Sequence, residues 1–330
     1  MALKSVTLRF STMPHADDMR PETLLSEARS GDPGGDPALW RTTVSGNEAL
    51  ALAIDTLISG VHFRAEAKSE DVAYKAVAVN LSDLAAMGAE PVSVAVALSA
   101  EKLSGPWIEG FRRGLARTAR AFEVAVAAAT LTRGPLSVSV EAIGRVPPDA
   151  ALRRSGARPG DGIYVTGTLG DAGLGLAAAK GEISLPKDEA VYVVERLDRP
   201  QPRLAAGVAL RGLASAAIDL SDGLAGDLEH ILRASGVGAS VQVDRLPLSP
   251  VMRSRRDGDS GLELALSFGD DYELCFTLPE AALSAFEKKF DQLGCSVTEI
   301  GVVEKRQGLE FRHDDGRPFA ARAAYDHFRD

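Results

Sequence analysis

Cysteine is almost absent. The 330 residues contain two, Cys275 and Cys295. No CxxC occurs, so a cysteine-based zinc site and a secreted disulfide scaffold are both excluded. The first 25 residues lack the apolar run of a signal peptide. No stretch of ~18 uninterrupted apolar residues offers a membrane span. A basic excess is missing too: 37 Lys and Arg stand against 46 Asp and Glu, for a net charge of −9. That disfavours non-specific binding to nucleic acid or to anionic membranes. The expectation is a cytoplasmic protein with no nucleic-acid or membrane partner. Aromatic residues make up 5%, which leaves alanine, valine and leucine to build the core.

Domains usually run to ~100–200 residues, so this length predicts two domains or one large one. The segment Gly31-Asp32-Pro33-Gly34-Gly35-Asp36-Pro37 is turn chemistry, and residues 1–45 read poorly throughout. From Ala49 the pattern sharpens. It predicts a buried strand over 49–55, a helix over 70–87, a strand over 91–100, a helix over 106–123, and strands over 124–129 and 136–146. Pro147-Pro148-Asp149 is the expected domain boundary, giving domains 1–148 and 149–330. Beyond it the reading gives a strand over 162–166, a helix from Asp171 to about Lys180, a helix over 204–214 and a strand over 216–220. A helix capped by Ser221 and running to about Ala234 follows, then further α/β alternation to residue 303.

Carboxylates recur on apolar elements. Asp55 ends the first strand, with His62 shortly after it. Asp83 sits inside an apolar helix, sharing a face with Asn80 and Met87. Asp219 and Asp222 bracket a strand-to-helix turn, and Asp270 and Asp271 precede a strand. Taken singly, Asp222 reads equally as a helix cap, Asp83 as a solvated edge residue, Asp270-Asp271 as a turn and His62 as a packed histidine. Together, carboxylates on apolar elements are costly unless paired or metal-bound. Hard oxygen ligands of this kind suit Mg²⁺, a frequent partner of phosphoryl chemistry. The sequence has no GxxxxGK[ST], GxGxxG, HExxH or GxSxG.

Longer segments carry a resemblance. Residues 55–63, Asp-Thr-Leu-Ile-Ser-Gly-Val-His-Phe, and residues 78–89, Ala-Val-Asn-Leu-Ser-Asp-Leu-Ala-Ala-Met-Gly-Ala, resemble the corresponding motifs of thiamine-monophosphate kinases. So do Thr132-Arg133-Gly134-Pro135-Leu136-Ser137, Arg154-Ser155-Gly156-Ala157, Tyr164-Val165-Thr166-Gly167 and Arg199-Pro200-Gln201-Pro202-Arg203. Ile218-Asp219-Leu220-Ser221-Asp222-Gly223-Leu224, Asp271-Tyr272-Glu273-Leu274 and Tyr325-Asp326-His327-Phe328 complete the series, in the family's order.

The resemblance implies an α/β (α+β) fold of two aminoimidazole-ribotide synthetase-like domains, the N-terminal one dimerising through its strands. It implies ATP-dependent phosphorylation of thiamine monophosphate to thiamine diphosphate, with several Mg²⁺ ions. By the same resemblance Asp55, Asp83, Asp219 and Asp222 bind metal, as does Asp36. Arg154, Ser221, Ala129 and Thr130 contact ATP, and His62, Asp270 and Tyr325 line the thiamine phosphate pocket. No general base is nominated, because the acceptor is already an anionic phosphate.

Three departures stand out. Gly35-Asp36-Pro37-Ala38 replaces the family's Gly-Asp-Asp-Ala, so Pro37 stands where one aspartate belongs. Ala53-Ile54 replaces Ser-Thr, removing a hydroxyl expected to face metal. Ala128-Ala129-Thr130-Leu131 replaces Gly-Gly-Asp-Thr, so Thr130 stands for a metal-binding aspartate. Gly-Gly-Asp-Thr encoded GGC GGC GAC ACT, read one base later with G following, becomes GCG GCG ACA CTG, which is Ala-Ala-Thr-Leu. A short local frame shift would account for that change, and resequencing the gene tests it. The departures also motivate a competing reading, a nucleotide- or thiamine-phosphate-binding homologue with a depleted metal site. A selenophosphate synthetase normally carries an N-terminal cysteine, and none precedes Cys275. An aminoimidazole-ribotide synthetase is a further alternative.

Overall fold

In the computed structural model, residues 39–40, 48–102, 105–255 and 260–321 are described. The first part runs β1 Leu39–Trp40, β2 Ala49–Ile58, α1 Ser69–Ala86, β3 Glu90–Ser99, α2 Gly105–Ala121, β4 Ala125–Thr132 and β5 Ser137–Val146. Its strands form one sheet in the order β1-β2-β5-β3-β4, antiparallel except for the β3–β4 pair. Alternation decides its two faces. Ala51, Ala53 and Leu57 of β2, Val94, Val96 and Leu98 of β3, and Val138, Val140 and Ala142 of β5 are buried on the face that packs against α1. Ile54 and Ile58 lie on the other face, 70% and 41% exposed.

Helix α1 is buried on nearly every side. It packs against the first sheet, against α2, and against elements of the second half of the chain. That explains its alanine- and valine-rich sequence, which lacks the polar stripe of a surface helix. Each fully buried valine or leucine there contributes ~1.5–3 kcal/mol.

The second part continues β6 Gly162–Thr166, α3 Asp171–Ala179, α4 Lys187–Asp198, α5 Leu204–Leu210, β7 Ala216–Asp219, α6 Leu224–Ser235 and β8 Gly238–Gln242. After these come α7 Pro250–Arg253, α8 Ser260–Ser267, β9 Leu274–Leu278, α9 Leu283–Phe290, β10 Val297–Glu304, β11 Gly308–Arg312 and β12 Pro318–Phe319. The strands form a sheet in the order β12-β11-β8-β10-β6-β9-β7, with only β8 and β11 parallel. One face packs on a core that includes Leu228, Ile231 and Leu266. The opposite face holds Phe276 and Tyr164, stacked at 5.6 Å, with Phe286 and Phe290 of α9 and Ala85 and Ala86 of α1. The C-terminal end of α1 is therefore shared between the two sheets, which brings Asp83 near the end of β7.

Two local expectations change. The helix after β7 starts at Leu224 behind Gly223, and no side chain caps it, so Ser221 is not its cap. The strand expected from Tyr272 begins at Leu274, because Asp270 and Tyr272 have φ of 65° and 49°.

Candidate functional site

Asp55 lies on the inner face of β2, in line with the buried Ala51, Ala53 and Leu57. Asp83 sits in the last turns of α1. Asp219 ends β7 and is 5% exposed. These three come from different elements, yet their charges interact. Burial, then Asp219 and Asp55, push the Asp83 carboxyl well above its usual range. Burial raises Asp219 to about 6, with Asp55 adding to the rise, while Ser82 and Arg154 oppose it. Arg154 is the counter-charge, pulling Asp83, Asp219 and Asp227 down together. Its segment is stitched on both sides: Leu152 N–H donates to the Met87 carbonyl at 3.1 Å, and Ala217 N–H to the Arg153 carbonyl at 2.8 Å.

The turn Leu220-Ser221-Asp222-Gly223 runs beside the segment Gly269–Glu273. Asp270 N–H donates to the Ser221 carbonyl at 2.9 Å and Tyr272 N–H to the Leu220 carbonyl at 2.8 Å. Leu220 N–H returns a bond to the Glu273 carbonyl at 2.8 Å. The approach requires glycine at 269, where a Cβ would overlap the Ser221 carbonyl oxygen. Glu273 anchors the far end. It is fully buried, bonded to Thr166 Oγ1 at 2.7 Å, and paired with Arg196 at 2.9 Å and Arg203 at 2.5 Å. Asp271 is held by Gly170 N–H, 3.0 Å from both carboxylate oxygens.

His62 and Asp270 also meet, through Lys75. The Lys75 ammonium donates to the His62 carbonyl at 3.0 Å and lies 3.0 Å from Asp270 Oδ1. Ile58 N–H donates to His62 Nδ1 at 3.0 Å. In the neutral ring the proton then sits on Nε2.

The structure adds residues to which the sequence reading gave no role in the site. Asp227 of α6 is buried and accepts Asp222 N–H at 3.0 Å. Burial, then Asp222 and Asp219, push its carboxyl well up. The Tyr272 phenol is pushed up by burial and then by Asp270, Asp55, Asp219 and Asp83, so its ring lies beside the same carboxylates. Lys75 is a third.

Other expected site residues fall elsewhere. Asp55 aligns across the sheet with Val140, Val96 and Ala129, while Thr130 aligns with Ala97, Ser139 and Thr56. Directly paired residues share a face, so Ala129 lies on the Asp55 face and Thr130 on the opposite one. Both are on the exposed edge strand β4, three strand spacings or roughly 14 Å from β2. Ile54, expected as a lost hydroxyl facing metal, points to the outer face, away from Asp55; Ala53 is its neighbour on the Asp55 side. Asp36 and Tyr325 lie outside the described residues.

Among the described residues, no three His, Cys, Asp or Glu side chains converge tightly enough to hold a metal ion by themselves. The carboxylates lie near enough for their charges to interact without forming a closed cage. Their chemistry fits Mg²⁺, which keeps several waters and binds through one or two carboxylates plus substrate phosphates, without an all-protein cage. Burial is the larger cause of the rise in both carboxyls; the part that Asp219 and Asp55 add at Asp83, and that Asp55 adds at Asp219, is charge repulsion that such a cation would relieve.

Two family descriptions match: "AIR synthase related protein, N-terminal domain" over residues 34–146 and "AIR synthase related protein, C-terminal domain" over residues 158–314. The thiamine-monophosphate kinase of Salmonella typhimurium is 44% identical over 315 residues, covering 94% of this chain and 95% of that protein. The crystal structure of thiamine-monophosphate kinase from Stenotrophomonas maltophilia K279a is 41% identical with a TM-score of 0.77, covering 88% of this chain and 93% of that one. AaThiL complexed with AMPPCP and TMP superposes with a TM-score of 0.82 at 29% identity, covering 93% of this chain and 96% of that one.

Proposed function

The chain belongs to the thiamine-monophosphate kinase family, and from that premise we propose that it phosphorylates thiamine monophosphate with ATP, giving thiamine diphosphate and ADP. The observation that carries the reading is that Asp55, Asp83 and Asp219, from three elements, lie near enough for their charges to interact with one another and with Arg154. A relative of the same fold binds AMPPCP and TMP.

An oxygen of the acceptor's phosphate attacks the γ-phosphorus of ATP. The bond from that phosphorus to the β,γ-bridging oxygen breaks, and ADP leaves with its electron pair. The acceptor phosphate is anionic near neutral pH, so no side chain need remove a proton. What the reaction requires is in-line placement and charge neutralisation. Asp55, Asp83, Asp219 and Asp222 would hold Mg²⁺, with Asp36 a further candidate; the bound ions neutralise the polyphosphate charge. Arg154 and Ser221 contact ATP, with Ala129 and Thr130 at the far edge of the sheet. His62, Asp270 and Tyr325 line the acceptor pocket.

In this reading the chain has two domains, 1–148 and 149–330, and acts as a cytoplasmic homodimer. Among the described residues, no helix is long and apolar enough to cross a membrane. The outer face of the first sheet, with Ile54 and Ile58 exposed, is the surface offered to the second copy. The test is formation of thiamine diphosphate by the purified protein, dependent on ATP, Mg²⁺ and thiamine monophosphate together. A folded protein that forms none would overturn the reading.

A further inference from the structure

Lys75 is a charged residue in the middle of a helix that is otherwise almost all core. Its side chain is 3% exposed. A lysine buried to this degree is costly unless its donors are satisfied, and here two partners come from separate segments. The His62 carbonyl belongs to the loop between β2 and α1. Asp270 belongs to the segment stitched to the turn after β7. That segment has Asp270 and Tyr272 at φ of 65° and 49°, a conformation that a tyrosine adopts only when its surroundings impose it. Backbone bonds to Leu220 and Ser221 hold its main chain. The bond to Lys75 fixes the direction of the Asp270 side chain.

We propose that Lys75 is a positioning residue of the acceptor pocket, clamping the His62 loop to Asp270 so that both face one ligand. It does not touch the reacting phosphates: its ammonium is enclosed and occupied by the two loops. The proposal rests on the assignment of His62 and Asp270 to the thiamine phosphate pocket.

The test pairs steady-state kinetics with hydrogen exchange. Lys75→Met keeps the length and removes the donors. It should raise KM for thiamine monophosphate at least about tenfold, the usual scale for losing a hydrogen bond to a charged group. KM for ATP should stay within about twofold. Lys75→Arg should recover much of the loss, because it restores charge and donors. If Lys75→Met does not fold, Lys75→Gln, which keeps one buried donor, carries the same comparison. In unliganded protein the amides of residues 269–273 should exchange faster in the variant while those of β6 do not. Unchanged KM for thiamine monophosphate, or an equal fall in kcat with both KM values intact, would overturn the clamp. If wild-type protein makes no thiamine diphosphate, the functional reading fails on its own. The exchange measurement still decides the clamp: unaltered exchange over 269–273 rejects it.

Discussion

Asp227 of α6 accepts the backbone N–H of Asp222 at 3.0 Å, so one acid holds the main chain of the other in place. Gly223, with φ of 105°, turns the chain back far enough for this. Burial and the neighbouring Asp222 and Asp219 push the Asp227 carboxyl well up, which makes its protonated form a close match for asparagine. Asp227→Asn is therefore expected to keep both stability and most activity. Asp227→Ala, which leaves a buried N–H without its partner, should cost ~1–3 kcal/mol and at least tenfold in kcat/KM. Thermal unfolding and steady-state rates check this; an asparagine variant as impaired as the alanine one would show that the charge itself is needed.

Asp219 gives a pH dependence with a definite sign. Its folded pKa of about 6 lies above the ordinary 3.8, so between those values the folded state binds more protons than the unfolded one. Stability of the metal-free protein therefore falls as pH rises through that window. Asp219→Asn removes the penalty. The variant should be more stable at pH 7 by up to about 3 kcal/mol, should lose that advantage by about pH 4, and should be inactive. Tm measured across this range for both proteins decides it, and identical curves would rule out the raised carboxyl.

Some of this could be read in the sequence and some could not. Asp55, Asp83 and Asp219 stand out because each interrupts an apolar run, and apolar periodicity alone places α1 and β2 to within a few residues. Lys75, Asp227 and Tyr272 give no such signal. Lys75 in a helix reads as a solvated edge, and Asp227 as an ordinary acid in a first helical turn. Their roles depend on partners many positions away or on a left-handed backbone that residue type does not announce. Thr130 shows a different limit. Side chains alternate along a strand, so a change of one residue in register turns every side chain to the opposite face. The face that residue 130 occupies follows from pairing with β3, which local sequence does not specify.

That face yields the next expectation. Thr130 shares a row with Thr56 and Ser139, across the sheet from the Asp55 face. In the monomeric chain, Thr130→Asp should leave stability within about 0.5 kcal/mol, because the position is exposed there. The Mg²⁺ concentration for half-maximal rate should move less than about twofold, since the new carboxylate points away from Asp55. A tenfold fall in that concentration would mean that residue 130 reaches the phosphates after all, and would support reading the Ala128–Leu131 stretch as a displaced Gly-Gly-Asp-Thr.

Ile54 tests the proposed dimer. It is 70% exposed in the middle of β2, on a face that no helix among the described residues covers. An arginine there would be buried in the proposed two-fold interface, where unpaired buried charge is strongly unfavourable. Ile54→Arg is expected to run as a folded monomer at micromolar concentration while the wild type runs as a dimer. A wild-type monomer in sedimentation would remove the interface, and a dimeric arginine variant would move it to another surface.

Gly269 is the point at which the two carboxylate-bearing segments touch. A Cβ there would overlap the Ser221 carbonyl oxygen and crowd Asp222 Cα. The obstruction is backbone on both sides, so no side chain can swing away to relieve it. Gly269→Ala must separate the segments, and the bonds from Asp270 N–H to Ser221 and from Tyr272 N–H to Leu220 lengthen together. A loss of roughly 2–4 kcal/mol is expected from the overlap and the weakened pair of bonds. The functional consequence reaches both ligands. Asp270 belongs to one of the separated segments and Ser221 and Asp222 to the other, so at temperatures where the variant remains folded both KM for thiamine monophosphate and KM for ATP should rise. Unfolding midpoints and the two KM values measure both parts. A variant as stable as the wild type, with both KM values unchanged, would mean that the segments can part without cost and that their contact does not set the acceptor pocket.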